Sequence, residues 1–516
     1  MSDEVPLPMG SLVTEGAEKR LRSVIDDCVH CGFCLPACPT YQLWGEEMDS
    51  PRGRIHLVSQ LLDGAPLTAA AAAHFDRCLG CMACMTACPS GVQYDQIIEA
   101  AREWTEETAG ALGVSGTLEA SGALEARGVS GTAGGGPGAP QMRRSPPVRR
   151  SVADRATRAA IFAVFPYPRR LRVLTAPLRA AQRTGVDRLL ARSGALGRLS
   201  PAAEAALRLA PPSSRPLPAG RFPSRVPALG KRRAVVGMLT GCVQSVFYPR
   251  VNAATARVLA AEGCEVVIPR GQGCCGALSL HSGRVAEATR FAQRTIAVFE
   301  AAGVDAIIVN SAGCGSAMKE YERLLGQQEE HGGPGGLDRL GEGAGPDEAD
   351  VSPALAGQVE ATSWAARAAA LSDRVRDLAE FLAELGPVAA RHPLPVKAAY
   401  HEACHLGHAQ RITRAPRELL RAIPELELVE LRDAGTCCGS AGVYNLLQPG
   451  AARELGVRKA DSVLASGASL VISANPGCTL QIAAELGDRG ERVGTAHTAE
   501  VLDASIRGVP LTAVAD

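Results

Sequence analysis

Two stretches, CVHCGFCLPACP at residues 28–39 and CLGCMACMTACP at residues 78–89, decide the fold of the N-terminal part of this chain. Both have the spacing C-x2-C-x2-C-x3-C-P, in which a tight loop presents three thiolates to one [4Fe–4S] cluster and the fourth cysteine reaches the other cluster. Zinc sites also use C-x2-C pairs, but they do not require this third and fourth cysteine, twice. The spacing therefore predicts two [4Fe–4S] clusters. The expected ligands are a first cysteine set, Cys28, Cys31, Cys34 and Cys88, and a second cysteine set, Cys78, Cys81, Cys84 and Cys38.

The segment between the two stretches predicts helices rather than the short β-hairpin links of minimal ferredoxins. It contains RGRIHLVSQLLDG and APLTAAAAAHFDR, which are helix-like in composition. With SPRGR at residues 50–54, it resembles the α-helical ferredoxin domain that serves as an electron wire in larger dehydrogenases. This resemblance implies an N-terminal α-helical domain that holds both clusters.

The C-terminal part contains an internal duplication. In each copy a β-like run ends near a cysteine, a helix-like segment and a second run lead into Cys-Cys-Gly, and a third run ends at the last cysteine. Alternating strands and helices predict small α/β units with parallel strands, whose carboxyl ends meet at one edge of the sheet. That edge would carry a third cysteine set, Cys242, Cys274, Cys275 and Cys314, and a fourth cysteine set, Cys404, Cys437, Cys438 and Cys478. The predicted fold class is thus α+β and multidomain, with an α-helical ferredoxin domain before duplicated α/β Cys-Cys-Gly domains.

The third and fourth sets suit metal ligation better than they suit buried free thiols, because adjacent cysteines rarely form a disulfide with each other. Four cysteines are enough for a further iron–sulfur cluster or for zinc, and the sequence leaves these two open. His401, His405 and His408 surround Cys404, either as partners of the ligands or as a ligand at an open site. Each of these histidines, taken alone, is more typical of a polar structural residue than of a metal ligand. Cys264 lies outside the pattern and is expected to be a small core residue.

Composition divides the rest of the chain. Gln141 to Arg233 contains 21 Lys and Arg residues and three acids, a local charge of 21 − 3 = +18 inside a chain of zero net charge. Its apolar residues have helical spacing, and we expect short amphipathic helices broken at Pro166, Pro168 and Pro177. The sequence leaves two interpretations of this basic segment open: a solvated basic face, or a docking surface for anionic lipid or an acidic subunit. The predicted domains are 1–108, the ferredoxin domain; 109–147, a flexible low-complexity insertion; 148–232, the basic helical connector; 233–325, the first Cys-Cys-Gly domain; 326–353, an acidic Gly-rich insertion; 354–395, a helical connector; and 396–516, the second Cys-Cys-Gly domain.

The chain of 516 residues also lacks several common signatures. No apolar run reaches the roughly 18 residues of a membrane span, and no secretory signal is visible, so we expect a cytoplasmic protein with reduced cysteines. There is no G-x-G-x-x-G at a strand–helix junction, no phosphate loop and no hydrolase signature. We therefore expect no flavin or NAD site and no catalytic residue of its own. The arginines lack an aromatic stacking set, and no nucleic acid partner is expected.

The chain resembles the family of iron–sulfur subunits of bacterial glycolate oxidases. The resemblance is carried by LTGCVQSVFYPRVNAATARVLAAEGCEVVIPRGQGCCGALSLHSG, by YHEACHLGHAQRITRAPRELLRAIPELELVEL, and by CCGSAGVYNLLQP. Lactate-utilisation, anaerobic glycerol-3-phosphate dehydrogenase and heterodisulfide reductase subunits belong to the same wider group. In the last of these, each repeat ends C-x-x-C, whereas Ala317 and Gln481 occupy that position here, so disulfide-reducing chemistry is not expected.

The resemblance implies a function for the whole chain. It implies an electron-transfer subunit of an oxidoreductase of the glycolate dehydrogenase type, acting on CH–OH donors. Two FAD-containing partner chains would oxidise glycolate to glyoxylate, and electrons would pass to membrane quinone from a peripheral position on the inner face of the membrane. The equivalent subunit for lactate or glycerol-3-phosphate is the alternative within this class. A cluster-based redox sensor is the alternative from another class.

Overall fold

The computed structural model describes residues 14–115, 148, 150–193, 195–211, 222–330 and 363–511. Most of the two predicted insertions, at 116–147 and 331–353, lies outside the described residues. The domain limits given above stay predictions. Among the described helices, none combines the length and the apolar composition that a membrane-spanning segment needs.

The N-terminal unit is all helical. Its helices start where the sequence supplies caps: the Ser50 side chain accepts the Gly53 N–H ahead of Pro51, and the Thr68 side chain accepts the Ala71 N–H. Their apolar faces enclose a core around Phe75, which is fully buried. A 3₁₀ turn, Glu47–Asp49, precedes the third helix. The helices are α1 Glu15–Asp26, α2 Pro39–Trp44, α3 Pro51–Leu62, α4 Ala69–Arg77, α5 Ala83–Ala87 and α6 Tyr94–Ser115.

The basic connector is also helical, and one predicted break in it is wrong. α8 continues through Pro177, although a proline inside a helix removes one backbone hydrogen bond. The carbonyl that loses its partner belongs to Val173, four residues earlier, whose side chain is 74% exposed, so water can reach that part of the helix. The connector helices are α7 Val152–Val164, α8 Pro168–Thr184, α9 Val186–Ser193, α10 Ala195–Leu199 and α11 Pro201–Leu209.

The first repeat forms a five-stranded sheet in the order β1-β3-β2-β4-β5. β1 is antiparallel to β3, and the other pairs are parallel. The strands are β1 Arg225–Val226, β2 Ala234–Met238, β3 Cys264–Val267, β4 Ala306–Val309 and β5 Val375–Asp377. The helices are α12 Val243–Phe247, α13 Pro249–Ala261, α14 Ala277–Leu280, α15 Val285–Ala302, α16 Ala312–Lys319, α17 Tyr321–Glu330, α18 Trp364–Ser372 and α19 Leu378–Leu385.

The second repeat forms a parallel sheet in the order β7-β6-β8-β9, which is the order of β3-β2-β4-β5 in the first. A π-helical turn, His405–Ala409, follows Cys404. The strands are β6 Val396–His401, β7 Leu426–Glu430, β8 Leu470–Ser473 and β9 Gly494–His497. The helices are α20 Arg414–Arg421, α21 Tyr444–Leu447, α22 Pro449–Ala465, α23 Pro476–Asp488 and α24 Thr498–Arg507.

The sequence predicts three strands in each copy, and each copy contains a fourth. The first repeat also has β1, a two-residue strand that lies inside the segment 148–232 expected to be a helical connector. The fourth strand of the first repeat is β5, which lies inside the segment 354–395 that was expected to be a purely helical connector, and it pairs with β4 through Ile307 and Val375. The physical reason is its length, because three residues are too few for an alternating pattern to stand out. The first repeat therefore resumes after the acidic insertion.

The two repeats pack against each other with a shared apolar core. α13 of the first repeat lies against α24 of the second, and α19 lies against α20 in the equivalent arrangement. Arg257 donates to both carboxylate oxygens of the buried Asp503, with a shortest distance of 2.6 Å. Cys264, on β3, is fully buried in this core, in agreement with the sequence analysis.

The N-terminal unit docks onto the first repeat through α6, and onto the second repeat through α5 and α2, which contact the π-helical turn His405–Ala409 and α22. Arg102 donates to the His281 carbonyl at 2.8 Å and also to the Cys78 carbonyl. Arg323 of the first repeat forms ion pairs with Glu99 at 3.0 Å and with Asp95 at 3.2 Å. The contacts of α6 hold the second cysteine stretch close to the first repeat.

Candidate iron–sulfur centres

The first cysteine set lies at the rim of the N-terminal unit. Its four members line one cleft, together with Cys84 of the second set. Cys31 is exposed, whereas the other three members are half-buried. Burial raises the pKa of Cys34 to about 11, so in the absence of metal this thiol keeps its proton. The set therefore combines a converging group of sulfur donors with access from solvent.

The second cysteine set is buried. Cys38 precedes α2 as its N-cap residue, and Cys78 accepts hydrogen bonds from the Gly80 N–H at 3.4 Å and from the Tyr94 hydroxyl at 3.7 Å. Burial raises the pKa of Cys81 and Cys84, and Cys38 is among the neighbours that raise both. This proximity supports the predicted exchange of the fourth cysteine between the two stretches, and the ligand assignment itself stays a prediction.

A buried arginine faces the second set. Arg54 is 1% exposed, and its guanidinium contacts the Thr40 hydroxyl at 3.2 Å, which in turn lies 3.2 Å from the Cys38 Sγ. Burial disfavours the Cys78 thiolate, but the charges of Arg54 and then Arg102 outweigh it and lower the pKa of Cys78 below its ordinary value. Within the second set, Cys78 is thus the thiol whose anionic, metal-binding form the surrounding charges favour.

The third cysteine set lies at the carboxyl edge of the first sheet. Cys242 follows β2, Cys274 and Cys275 lie in the loop after β3, and Cys314 is in the first turn of α16, which follows β4. The Sγ atoms of Cys242 and Cys274 are 3.7 Å apart. Hydrogen bonds from the Cys274 and Cys314 thiols lower the pKa of Cys275 well below its ordinary value. The fold therefore brings all four thiols of this set together.

The fourth cysteine set repeats this arrangement in the second sheet, with one addition. The Sγ atoms of Cys404 and Cys437 are 3.8 Å apart, and hydrogen bonds from the Cys437 and Cys478 thiols lower the pKa of Cys438. The imidazole of His401 joins this group, because one of its ring nitrogens and the Sγ atoms of Cys438 and Cys478 all lie within 4.8 Å of one another. Of the three histidines around Cys404, His401 alone has this position in the described residues.

The sets are not isolated from one another. Cys81 of the second set and Cys404 of the fourth belong to the same apolar core, and Cys404 is a neighbour that raises the pKa of Cys81 after burial. The Thr86 hydroxyl and the His408 Nδ1 are 2.9 Å apart across the same junction. The second and fourth sets thus face each other across a buried boundary.

The third set is connected to the same junction by a pair of histidines. The rings of His281 and His405 stack with their centroids 4.9 Å apart and their planes at 8°. His281 lies close enough to Cys275 to help lower its pKa. In addition, the Ala312 N–H donates to the Ala474 carbonyl at 3.1 Å, which joins the loops that lead to Cys314 and Cys478.

The donor chemistry of these residues fits iron–sulfur groups. Thiolates are soft ligands that suit iron–sulfur clusters and zinc, and each set offers four of them. No disulfide joins any of the 17 cysteines, all of which lie in the described part of the chain. The first, second, third and fourth sets are the residues that would hold such groups.

Several residues of these sites were not found by sequence reasoning. Arg54 had a signal, because it closes the SPRGR segment. Arg102 and Tyr94 had none, because they lie 24 and 16 residues from Cys78 and reach it only through the packing of α6 inside the N-terminal unit. His281 lies close to Cys275 in the sequence, but nothing in the local pattern marks it as a neighbour of the thiols.

The chain was compared with known protein families. Residues 24–92 match a 4Fe-4S dicluster domain, residues 236–319 and 398–483 match a cysteine-rich domain, and residues 153–209 match the linker region of a glycolate oxidase iron-sulfur subunit. These matches cover both cysteine stretches, the connector helices and both repeats. They support the fold class expected from the sequence, a ferredoxin-like 4Fe-4S domain followed by two cysteine-rich domains.

Individual relatives lead to the same family. The chain is 31% identical to a probable glycolate oxidase iron-sulfur subunit of Bacillus subtilis, over 96% of this chain and 97% of the relative. It is 29% identical to the glycolate oxidase iron-sulfur subunit of Escherichia coli, over 94% and 95%. Lactate utilization protein A of Shouchella clausii is 28% identical over 52% of this chain and 98% of that protein. The chain therefore belongs to the family of glycolate oxidase iron–sulfur subunits.

Proposed function

We propose that this chain carries electrons for a glycolate dehydrogenase complex, between FAD-containing partner chains that oxidise glycolate to glyoxylate and the quinone of a membrane. Removing a hydride and a proton from a hydroxy acid requires a two-electron cofactor such as a flavin, and the sequence has no nucleotide-binding motif of its own. When bound, iron–sulfur clusters accept and donate single electrons. The work of this chain is then to hold such groups close together and to exclude water from them.

The observation that carries this proposal is the contact between the second and fourth sets. Cys81 and Cys404 share one buried apolar core, and Leu79, Ala83 and Tyr444 fill the space around them. The loops that carry these sets are fixed to each other by the Thr86–His408 hydrogen bond. A protein that only stored metal would not need to bring separate sets together across a domain boundary. Contiguous sites are what electron transfer requires.

The first set is our candidate for the end that meets a redox partner. Cys31 is exposed, and two large apolar side chains beside it, Val29 and Phe33, are 68% and 67% exposed. Exposed apolar groups of this kind are typical of contact surfaces between proteins. We infer that a flavin-containing partner covers this rim.

The connector helices are our candidate for contact with a membrane surface. α8 and α9 expose Val173, Leu174, Val186 and Leu189. α8 also carries five arginines and no acidic residue, and Arg172 and Arg183 are exposed. Apolar side chains flanked by arginines suit the interface of an anionic bilayer. This supports a peripheral position on the inner face of the membrane.

Lactate is the second candidate substrate of the partner chains, because lactate utilization proteins are among the relatives. The two candidates are distinguished by isolating the complex from its natural host under anaerobic conditions through a tag on this chain. We expect flavin in the recovered complex and reduction of an artificial dye with glycolate faster than with lactate. Absence of flavin, or faster reduction with lactate, would contradict the proposal for glycolate.

Metal analysis tests the sites themselves. The first and second sets together predict about eight irons per chain, and the third and fourth sets predict up to about eight more if they hold [4Fe–4S] clusters. A chain that contains zinc and only traces of iron would refute the electron-transfer proposal.

A further inference from the structure

His401 occupies an unusual position in the second repeat. It is the last residue of β6, three residues before Cys404, and its side chain is fully buried. Among the described residues neither ring nitrogen makes a hydrogen bond to oxygen or nitrogen, and the polar group beside the ring is the Cys438 thiol, whose pKa His401 helps to lower. One of its ring nitrogens lies within 4.8 Å of the Sγ atoms of Cys438 and Cys478, so these three residues could bind one metal ion. A buried imidazole whose polar neighbours are thiols is poorly satisfied by hydrogen bonds, and this favours a metal ion shared by the ring nitrogen and the two sulfur atoms.

The first repeat provides an internal comparison. The position three residues before the first cysteine is His401 in the second repeat and Leu239 in the first. Two further buried positions at this edge differ in the same way: Ser440 replaces Ala277, and Ser473 replaces Val309. The hydroxyls of both serines also lack a hydrogen-bond partner in the described part of the chain, whereas Leu239, Ala277 and Val309 belong to the apolar core of the first repeat.

The other histidines near the fourth set differ from His401. His405 stacks on His281, and although its Nε2 also lacks a hydrogen-bond partner among the described residues, it is not grouped with Cys438 and Cys478. The His408 Nε2 lies 2.7 Å from the Gly435 carbonyl. His497 lies in the same row across the sheet as His401, since His401 pairs with Ser473 and Ser473 pairs with His497. Both ring nitrogens of His497 have backbone partners, the Asn310 carbonyl at 2.8 Å and the Ala499 N–H at 3.0 Å.

We propose that His401 is a nitrogen ligand of the metal group held by the fourth set, beside Cys438 and Cys478, and that the third set binds its group through thiols alone. This inference rests on the proposed metal binding by the fourth set. It makes the two repeats chemically different although their folds are equivalent. His401 then takes the place of one of the other two thiolates, Cys404 or Cys437, among four ligands. In iron–sulfur centres, replacing thiolate ligands by imidazole raises the reduction potential. The fourth set would then be the more oxidising of the two sites.

The test uses the full chain, purified anaerobically, with ¹⁴N- or ¹⁵N-labelled histidine. If the fourth set holds iron, pulsed electron paramagnetic resonance of the reduced protein should show a strong hyperfine coupling to a histidine nitrogen. If the fourth set holds zinc, X-ray absorption at the zinc edge should show a nitrogen in the first shell. His401→Leu, which installs the residue of the first repeat, should abolish this nitrogen signal. His401→Cys should abolish it while the metal is retained, and this variant covers the case in which the leucine variant fails to fold.

The matched control is His497→Gln, which changes a buried histidine of the same sheet row and should leave the nitrogen signal intact. A wild-type protein with metal in the fourth set and no strong nitrogen coupling, or a coupling that survives in both His401 variants, would overturn the ligand assignment. A weak nitrogen coupling, together with a change of the reduction potential of the fourth set in the His401 variants, would overturn it as well. That result would indicate that His401 donates a hydrogen bond to sulfur and does not bind the metal. If Cys438→Ser leaves the metal content unchanged, the fourth set binds no metal, and the proposed site fails together with the inference.

Discussion

Gly439, which follows the adjacent cysteines of the fourth set, offers a quantitative test of how tightly that set is built. Its φ is +89°, and a Cβ at this position would lie 2.3 Å from the backbone carbonyl oxygen of Ala452 on α22. An ordinary carbon–oxygen contact is about 3.3 Å or longer. Gly439→Ala therefore requires either α22 or the loop that carries Cys437 and Cys438 to move by about 1 Å.

The cost has two parts. The left-handed backbone costs an alanine roughly 1–2 kcal/mol, and relieving an overlap in a packed interior adds about 1–3 kcal/mol. The total of about 2–5 kcal/mol corresponds to a fall in Tm of roughly 4–20 °C for a unit of 150–250 residues. Because the loop that moves carries two thiols of the fourth set, we also expect Gly439→Ala to lose metal from that set.

Gly490 supplies the matched control. Its φ is +72°, but no heavy atom of the described residues lies within 4 Å of a Cβ built there. Gly490→Ala should thus lower the Tm only through the left-handed backbone conformation, by roughly 2–8 °C. The metal content of this variant should stay unchanged. The assay is thermal unfolding by circular dichroism under anaerobic conditions, with iron and zinc measured per chain. Equal Tm values and equal metal contents for the two variants would refute the reasoning.

Three further predictions concern other parts of the molecule. Cys38→Ser should impair metal binding by the second set and spare the first, as followed by electron paramagnetic resonance; loss of the first set's signal instead would show that the exchanged assignment is wrong. Burial raises the pKa of Glu500 from an ordinary 4.5 to about 7 in the folded protein. The carboxyl group therefore ionises at a lower pH in the unfolded chain than in the folded one, and its contribution to stability is lost as pH rises from 4.5 to about 7. The Tm of Glu500→Gln relative to wild type should therefore increase across that range, and a difference independent of pH would contradict this. Arg257→Ala should destabilise the contact between the repeats by about 1–3 kcal/mol, because it removes the bidentate partner of the buried Asp503 while the arginine itself is partly exposed and screened by water. Arg507→Ala, equally exposed and in contact with Asp503 at 3.3 Å, should cost less in urea unfolding; the reverse order would be inconsistent with this account.

The cysteine sets were predictable from the sequence because the spacing of ligands is a local property. Three thiols within seven residues, or two adjacent thiols before glycine, restrict the backbone whatever surrounds them. The duplication was predictable for a similar reason, since both copies repeat the same order of runs and cysteines. In the structure, these features correspond to the two sheets of equivalent strand order.

The remaining features depend on contacts between distant parts of the chain. β5 consists of Val375, Arg376 and Asp377, and nothing in three such residues distinguishes a strand from a loop. His401 could not be separated from His405 and His408 by sequence, because the distinction lies in burial and in hydrogen-bond partners. Arg54 is a charged residue in a helix, and its complete burial follows only from the packing of Thr40 and Asp49 around its guanidinium.

The unequal exposure of the thiols has a consequence for how the protein responds to air. Oxidation of a thiolate to sulfenic acid and beyond follows its accessibility. Of the 17 cysteines, Cys31 alone is exposed, whereas the second set and the fourth set are buried. We therefore expect an oxidant to reach Cys31 before the other cysteines. If the first set meets the redox partner, as proposed above, oxidised protein would keep its packed interior and its stability but would lose its connection to the electron donor.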